Sequence, residues 1–494
     1  MRIIHSLKDW WDNFTIERLI CTIAFIAIFA MAVRVPVDTD MYWHIAAGRW
    51  MVENRAVLRE DVFSYTRAGA PWLNTYWLGQ IMIFLLYSAL GYAGMALLVA
   101  IPAAVGMAFV WRMGAGSGYL RAFAVILGGA AAAVFWSPRP HMFSFLLSAP
   151  VLYVLHLYKR EDTDRLWMLP LIAMLWANLH GGFIILFLLV GFTLAGEIAG
   201  RLFDPGAEDR LSWHEIGQLA LWTLVAVAAI IINPFGPRLW TLPFYTFGMQ
   251  ELQSVVPEWQ SPNFHGAETW PFVALLFGTL GIAGISTKKL DWADAALLIG
   301  TGLLAFWGGR NIATFALAAT PIFMRHFDAW LEDRGWQLRA IQRVTGAKLL
   351  LNRVLFIAAL LAGLIKVLWV LTPAQVEPVK AALLPVAAVD WLKAESPPGR
   401  MFNSYNWGGY LIYAYPEEAV FIDGRTDLYG DAMMREYLGA IYLREDWEDV
   451  AAKYDIGFAL IETGGLLSRH LEDRPGWVRV YADDTASVFR WGGL

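Results

Sequence analysis

The chain has 494 residues, 58% of them hydrophobic and only 16% charged, with a formal net charge of −5. An ordinary soluble domain carries about a quarter charged residues, so this composition excludes one and fits long apolar helices joined by short polar loops. No basic stripe that would bind nucleic acid is present, and the single cysteine, Cys21, excludes an intrachain disulfide.

Arg2, Lys8 and Arg18 precede the first apolar run, 19–33, and no small-residue cleavage site follows it. That run reads as a retained first helix rather than a removed signal. Further along, apolar runs predict spans at 19–35, 93–111, 119–136, 142–158, 166–178, 182–200, 216–232, 271–286, 292–308, 311–325 and 353–371, about 11 in all. The stretch 75–91 is also apolar, and counting it as a span would invert everything after it. Lys and Arg collect in cytoplasmic loops. If 75–91 does not cross, the inner loops hold Arg112, Arg121, Lys159, Arg160, Arg165, Lys288 and Lys289, and the outer loops after the first keep only Arg139, Arg238 and Arg310. The stretch is therefore expected to lie along the membrane interface.

This topology places Asp38, Asp40, His44, Arg139, His141, His180, Glu258 and Arg310 at helix ends on one face, the extracytoplasmic one. One-sided clustering of costly polar groups predicts a water-filled site there. Beyond Pro373 the chain becomes richer in charge, with β-like runs at 419–422, 458–461 and 478–481 and helical stretches at 386–394 and 446–453. The expected organisation is a transmembrane part, 1–372, with a long first external loop at 36–74. A small extracytoplasmic α/β domain, 377–494, follows it.

The first external loop carries the densest chemistry, Asp38-Thr-Asp-Met-Tyr-Trp-His44, followed by Gly48, Asp61 and the turn Gly69-Ala-Pro71. Each candidate has a plainer reading. Asp38 and Asp40 would serve equally as caps of a helix starting near Met41, and His44 as a packing residue. Asn178-Leu-His180-Gly-Gly reads as a tight turn, Glu258 as a solvated loop acid, and Asp423-Gly-Arg425 as a turn with a local ion pair.

The first loop resembles that of the oligosaccharyltransferase catalytic subunit, a member of the GT-C class of membrane glycosyltransferases. The resemblance implies a GT-C-like helical bundle, a polyprenyl-phosphate-linked sugar as donor and catalysis at the outer face. It maps the family's catalytic acid onto Asp40. The part of the long external loop that closes over the site falls to Val256-Pro-Glu258-Trp-Gln-Ser-Pro262, and the start of the soluble domain to Tyr405-Asn-Trp407-Gly-Gly-Tyr410. The set Arg-Pro-His, Asn-x-His-Gly-Gly, Asn-Pro-Phe-Gly and Trp-Gly-Gly-Tyr is also similar to a bacterial polytopic membrane protein family, a likeness that supplies no activity. Two departures stand out. Where the oligosaccharyltransferase family has a metal-binding carboxylate, this chain reads Ser137-Pro-Arg139-Pro-His141. The soluble motif also lacks the aspartate and second Trp that hold an asparagine acceptor.

These readings predict a membrane glycosyltransferase of the bacterial inner membrane that passes a sugar from a polyprenyl-phosphate donor to a glycan, lipid or protein acceptor. A non-enzymatic assembly or binding protein and a lipid transporter are the alternatives. Asp40, Asp38 and Glu258 are expected as catalytic acids, and Arg139, Arg310 and His141 as ligands of the donor phosphate. His44, His180, Trp407 and Tyr410 are expected around the acceptor. Asp38, Asp40 and His44 form a candidate site for Mg²⁺ or Mn²⁺.

Overall fold

The computed structural model describes residues 8–206, 209–249, 256–336 and 344–492. Its first long helix, α1 (Ile16–Ala32), starts where the Thr15 side chain accepts the Arg18 amide at 3.3 Å. The first loop then folds into a buried helix, α2 (Met41–Asn54). There follow α3 (Trp77–Met113), α4 (Gly118–Ala132), α5 (His141–Arg160), α6 (Met168–Leu179), α7 (Ile184–Phe203), α8 (Trp213–Ala229), α9 (Trp270–Ile285), α10 (Trp292–Trp307), α11 (Ile312–Asp333) and α12 (Gly346–Val370).

Every expected span coincides with one of these helices. Six stretches, covering α3, α4, α5, α7, α9 and α12, are long and apolar enough to cross a membrane, which makes this a multi-pass membrane protein. Length separates the others: α1, α6, α8 and α10 have 17, 12, 17 and 16 residues, and α11 carries Arg325 and Asp328 in its second half. Among the described residues, six helices thus meet both criteria of length and apolarity, and the other expected spans are helices that fall short of one of them. Helix α3 is two helices joined at Gly91, whose φ of 55° and ψ of −136° lie outside helical space and favour glycine. The break falls at the end of the stretch 75–91.

At the end of the bundle that holds the basic loops, ions pair inside the protein. Arg325 and Arg160 share Asp294 at 2.6 and 3.0 Å, and Arg160 also meets Asp291. Glu197, buried in α7, takes Lys159 and the Leu211 amide. Lys366, within α12, donates to the Ala30 carbonyl. Both are engaged in holding helices together.

The C-terminal region adds α13 (Pro373–Leu383), α14 (Val386–Glu395), α15 (Tyr405–Ala414), α16 (Thr426–Ile441), α17 (Trp447–Tyr454) and α18 (Leu466–Glu472) around a small sheet. Its strands β1 (Arg400–Asn403), β2 (Ile456–Glu462), β3 (Trp477–Ala482) and β4 (Ala486–Trp491) lie in the order β1-β2-β4-β3, parallel only between β1 and β2. The run 419–422 is not one of them. Its Phe421 amide bonds the Asn403 side chain at 2.8 Å, and Val420 bridges to Ser64 of the first loop, so its backbone is satisfied outside the sheet.

The first loop is stitched to the C-terminal region along its length. The Tyr65 amide donates to the Val420 carbonyl and the Val420 amide to the Phe63 carbonyl, Thr66 bonds the Phe421 carbonyl at 2.6 Å, and Arg67 bonds the Tyr429 carbonyl at 2.6 Å. At the centre of the seam Arg425 is fully buried between the Phe63 and Trp72 rings. It makes 2.6 Å ion pairs to both Asp61 and Asp423. A buried guanidinium is tolerable only when carboxylates offset it in this way. The Asp423–Arg425 pair is thus local, as the turn reading expects, and it also reaches 364 residues back to the first loop.

Candidate active site

Asp40 sits at the N-terminal end of α2 but caps nothing: its side chain makes no capping bond. Its carboxylate turns to Arg139, at 2.9 Å, and accepts the Trp43 indole N–H at 3.3 Å. Asp38 holds the turn by accepting the Asp40 amide at 2.9 Å, and its other oxygen lies 3.3 Å from Arg139. Glu258, on the short 3-10 turn Pro257–Trp259, meets the same guanidinium at 2.6 Å. Three acids from two loops far apart in sequence therefore converge on one arginine, which a rigid 137–140 turn presents between α4 and α5. All four side chains are between 16% and 27% exposed, shielded from bulk water yet open on one side.

That convergence sets the protonation states. Burial pushes the Asp40 carboxyl up to about 6; Arg139 opposes the rise, and Asp38 and Glu258 add to it. Burial acts on Glu258 in the same direction, but Arg139 and Arg310 outweigh it and hold that acid below its ordinary range. Burial disfavours charge on Arg139 too, and the three carboxylates more than restore it, so it stays cationic. The result is one carboxylate poised near neutrality beside one that stays ionised.

A cavity of about 380 Å³ opens beside this set, lined by Asp40, Arg139, Glu258, Arg310, His44, His141 and His180 among others. Arg310 stacks on Trp259, with its guanidinium carbon 4.0 Å from the ring centroid, and makes no ion pair among the described residues. The turn carrying it is pinned where the Gly309 amide bonds the Gln260 carbonyl at 2.9 Å.

The three histidines are neutral hydrogen-bonding walls. Gln80, whose amide oxygen is taken by Asn74 at 2.8 Å, donates to His44 Nδ1 at 3.3 Å, leaving the His44 proton on Nε2. His180 Nδ1 accepts the Gly182 amide at 3.0 Å and bonds Ser144 at 2.6 Å, so its proton is also on Nε2. Burial depresses both imidazoles well below their ordinary range. His141 bonds the Phe135 carbonyl through Nε2 at 2.9 Å, which leaves Nδ1 as its acceptor.

Some expectations are redirected. Trp407 and Tyr410 do not line the cavity. The Trp407 indole donates to the Leu383 carbonyl at 3.1 Å, within the C-terminal region, and Tyr410 packs edge-on to Tyr42, joining that region to α2. Asp38, Asp40 and His44 are not gathered as one ligand set; among the described residues no three or more His, Cys, Asp or Glu side chains are so grouped. The acids are turned onto Arg139, and His44 is turned to Gln80. Arg139 is itself engaged by three carboxylates, whereas Arg310 makes no ion pair among the described residues.

Other lining residues lie outside the expected site set. Tyr76, Tyr405, Gly424, Thr426 and Asp427 line the same cavity, the last four from the C-terminal region. Asp427 is held by the Trp72 indole at 3.0 Å. Burial raises Tyr76, and among the charges that act on its phenol are Asp427, Arg310, Glu258 and Asp40, which places it amid all four. Two signals in the sequence pointed here: the motif that begins at Tyr405, and the glycine inside Asp423-Gly-Arg425, which a close approach requires.

The fold is similar to those of several solved proteins, at sequence identities that show a shared fold alone. The Archaeoglobus fulgidus oligosaccharyltransferase, solved with a tethered acceptor peptide, matches with a TM-score of 0.54 at 13% identity over 92% of this chain and 70% of that one. ArnT from Cupriavidus metallidurans, solved with bound undecaprenyl phosphate, matches with a TM-score of 0.53 at 12% identity over 94% of this chain and 96% of that one. The mycobacterial arabinofuranosyltransferase AftD matches with a TM-score of 0.50 at 13% identity over 97% of this chain but 41% of its own. No protein-family model and no curated protein matches the sequence.

Proposed function

We propose that this protein transfers a sugar from a polyprenyl-phosphate-linked donor to a hydroxyl-bearing acceptor at the outer face of a bacterial inner membrane. The observation that carries the reading is the single cavity uniting Asp40, Glu258 and Arg139 with Arg310. The cavity has two unlike sides. One is apolar, built by Ile184, Ile185 and Leu188 of α7 and Leu304 and Trp307 of α10, and suits an isoprenoid chain entering from lipid. The other is polar, built by Tyr405, Thr426 and Asp427, and suits an acceptor's hydroxyls. Asp40 lines the same cavity.

In the proposed reaction the acceptor oxygen gives its proton to the Asp40 carboxylate and bonds the sugar's anomeric carbon. The bond from that carbon to the phosphate oxygen breaks, and its electron pair leaves with the polyprenyl phosphate. A base near 6 is matched to this work at neutral pH. Arg310 meets the charge that develops on the leaving phosphate, while Glu258 keeps the 256–262 loop folded over the site through Arg139. The stretch 75–91, with Tyr76 and Trp77 at its start, lies along the interface, and 377–494 is an extracytoplasmic domain that closes the site.

The test is donor consumption by purified protein in lipid nanodiscs, with a synthetic polyprenyl-phosphate sugar as substrate. Asp40→Asn keeps size and loses the base, so it should abolish turnover with folding intact. Unchanged turnover in that variant would refute the proposal.

A further inference from the structure

Asp38, Asp40 and Glu258 present the oxygen ligands a divalent ion would use, yet each is already committed to a cation. Arg139 takes all three, at 3.3, 2.9 and 2.6 Å, through three different nitrogens. Its Nε also bonds the Ser137 hydroxyl at 3.1 Å, which fixes the fork relative to its own turn. The guanidinium is planar and rigid, so three simultaneous contacts define a geometry as a coordination sphere does. A divalent ion entering among these oxygens would face a fixed positive charge at contact range, with no further His, Cys or acidic cluster among the described residues to complete its shell.

We infer that Arg139 is the built-in counter-cation of this carboxylate set and takes the place of a divalent metal, clamping Asp38, Asp40 and Glu258 and offsetting their charge. Donor turnover, where it rests on the glycosyltransferase reading above, is then independent of added metal. Arg139 does this as a positioning residue: it orients Asp40 and the Glu258 loop and leaves the donor phosphate to Arg310. The arrangement also ties loop closure to the base, because Glu258 cannot leave without uncovering charge on the guanidinium that holds Asp40.

Two measurements on the full-length protein in nanodiscs decide this. The first uses Mn²⁺ itself as probe, read by its electron paramagnetic resonance signal. Wild type should show no saturable site that Asp40→Asn removes. Arg139→Ala, which empties the centre of the acid set, should gain one, and the double variant Arg139→Ala/Asp40→Asn should lose it again. Arg139→Lys retains a cation and should gain none, which separates an effect of charge from a damaged fold. The second is donor consumption after exhaustive chelation, which should match that of untreated protein and be unaffected by Mg²⁺ or Mn²⁺. Loss of turnover on chelation with recovery on adding either ion overturns the inference. So does an Asp40-dependent Mn²⁺ site in wild type, or failure of Arg139→Ala to acquire one. Absence of any donor turnover in wild type would refute the glycosyltransferase reading alone, since the ion titration decides the role of Arg139 without it.

Discussion

The backbone of Gly424 packs directly on the carboxylate of Asp40: a Cβ at position 424 would overlap Asp40 Oδ1 and lie 3.1 Å from the Trp43 indole nitrogen. A residue of the C-terminal region thus forms one wall of the pocket in which the base of the first loop sits. Gly424 is not at positive φ, so the demand for glycine here is for space alone.

Gly424→Ala therefore tests the site without touching substrate. The extra methyl must push the Asp40 side chain away from Arg139, an overpacking cost of about 1–3 kcal/mol. Donor turnover should fall at least as steeply as that energy implies, roughly tenfold, while thermal unfolding shifts only slightly. Wild-type turnover in this variant would show that the Asp40 position does not matter.

The pH dependence follows from Asp40. Its carboxyl is raised to about 6, chiefly by burial, and the base form is the ionised one. Turnover should rise with pH through about 6 and be lost below it. Asp38 raises Asp40, so Asp38→Asn should move this limb to lower pH. Arg139 lowers it, so Arg139→Gln should move the limb to higher pH. A pH–rate profile for each variant checks both directions.

Arg310→Ala removes the cation stacked on Trp259. A charge-assisted hydrogen bond contributes roughly 1.5–3 kcal/mol, so the donor KM should rise by about ten- to a hundredfold with the acceptor KM little changed. Initial-rate kinetics with both substrates varied will separate the two.

Asp61→Ala leaves Arg425 buried with one of its two carboxylate partners gone. Breaking a buried pair in this way costs about 3–5 kcal/mol, so thermal unfolding in detergent should drop by many degrees. Asp427→Asn, nearby but lining the cavity, should instead raise the acceptor KM with little loss of stability.

Topology is checked by reporter fusions. A fusion at Gly116, between α3 and α4, should read cytoplasmic, and one after Trp491 should read extracytoplasmic. The opposite pair of readings would invert the site to the inner face.

The long helices were legible in the sequence because apolar runs are local: each such run needs only its own residues to become a helix. The same holds for the acids and arginines, since a charge at the end of an apolar helix has to be wet or paired, and the chain names its own candidates: Asp38, Asp40, Arg139, Glu258 and Arg310. What they pair with depends on distance through space. Only the folded chain decided that Arg139 faces three carboxylates rather than a phosphate, because Asp40 and Glu258 lie 99 and 119 residues from it. The same is true of Trp407 and Tyr410, whose aromatic rings suit a binding site or a packing seam equally well by composition. It is truest of Asp423-Gly-Arg425, which reads as a self-contained turn until the first loop supplies Asp61 and Asp40 to its two sides. Helix formation is settled within a few turns of chain, whereas ion pairing and close packing are settled by which surfaces the bundle and the C-terminal sheet bring together.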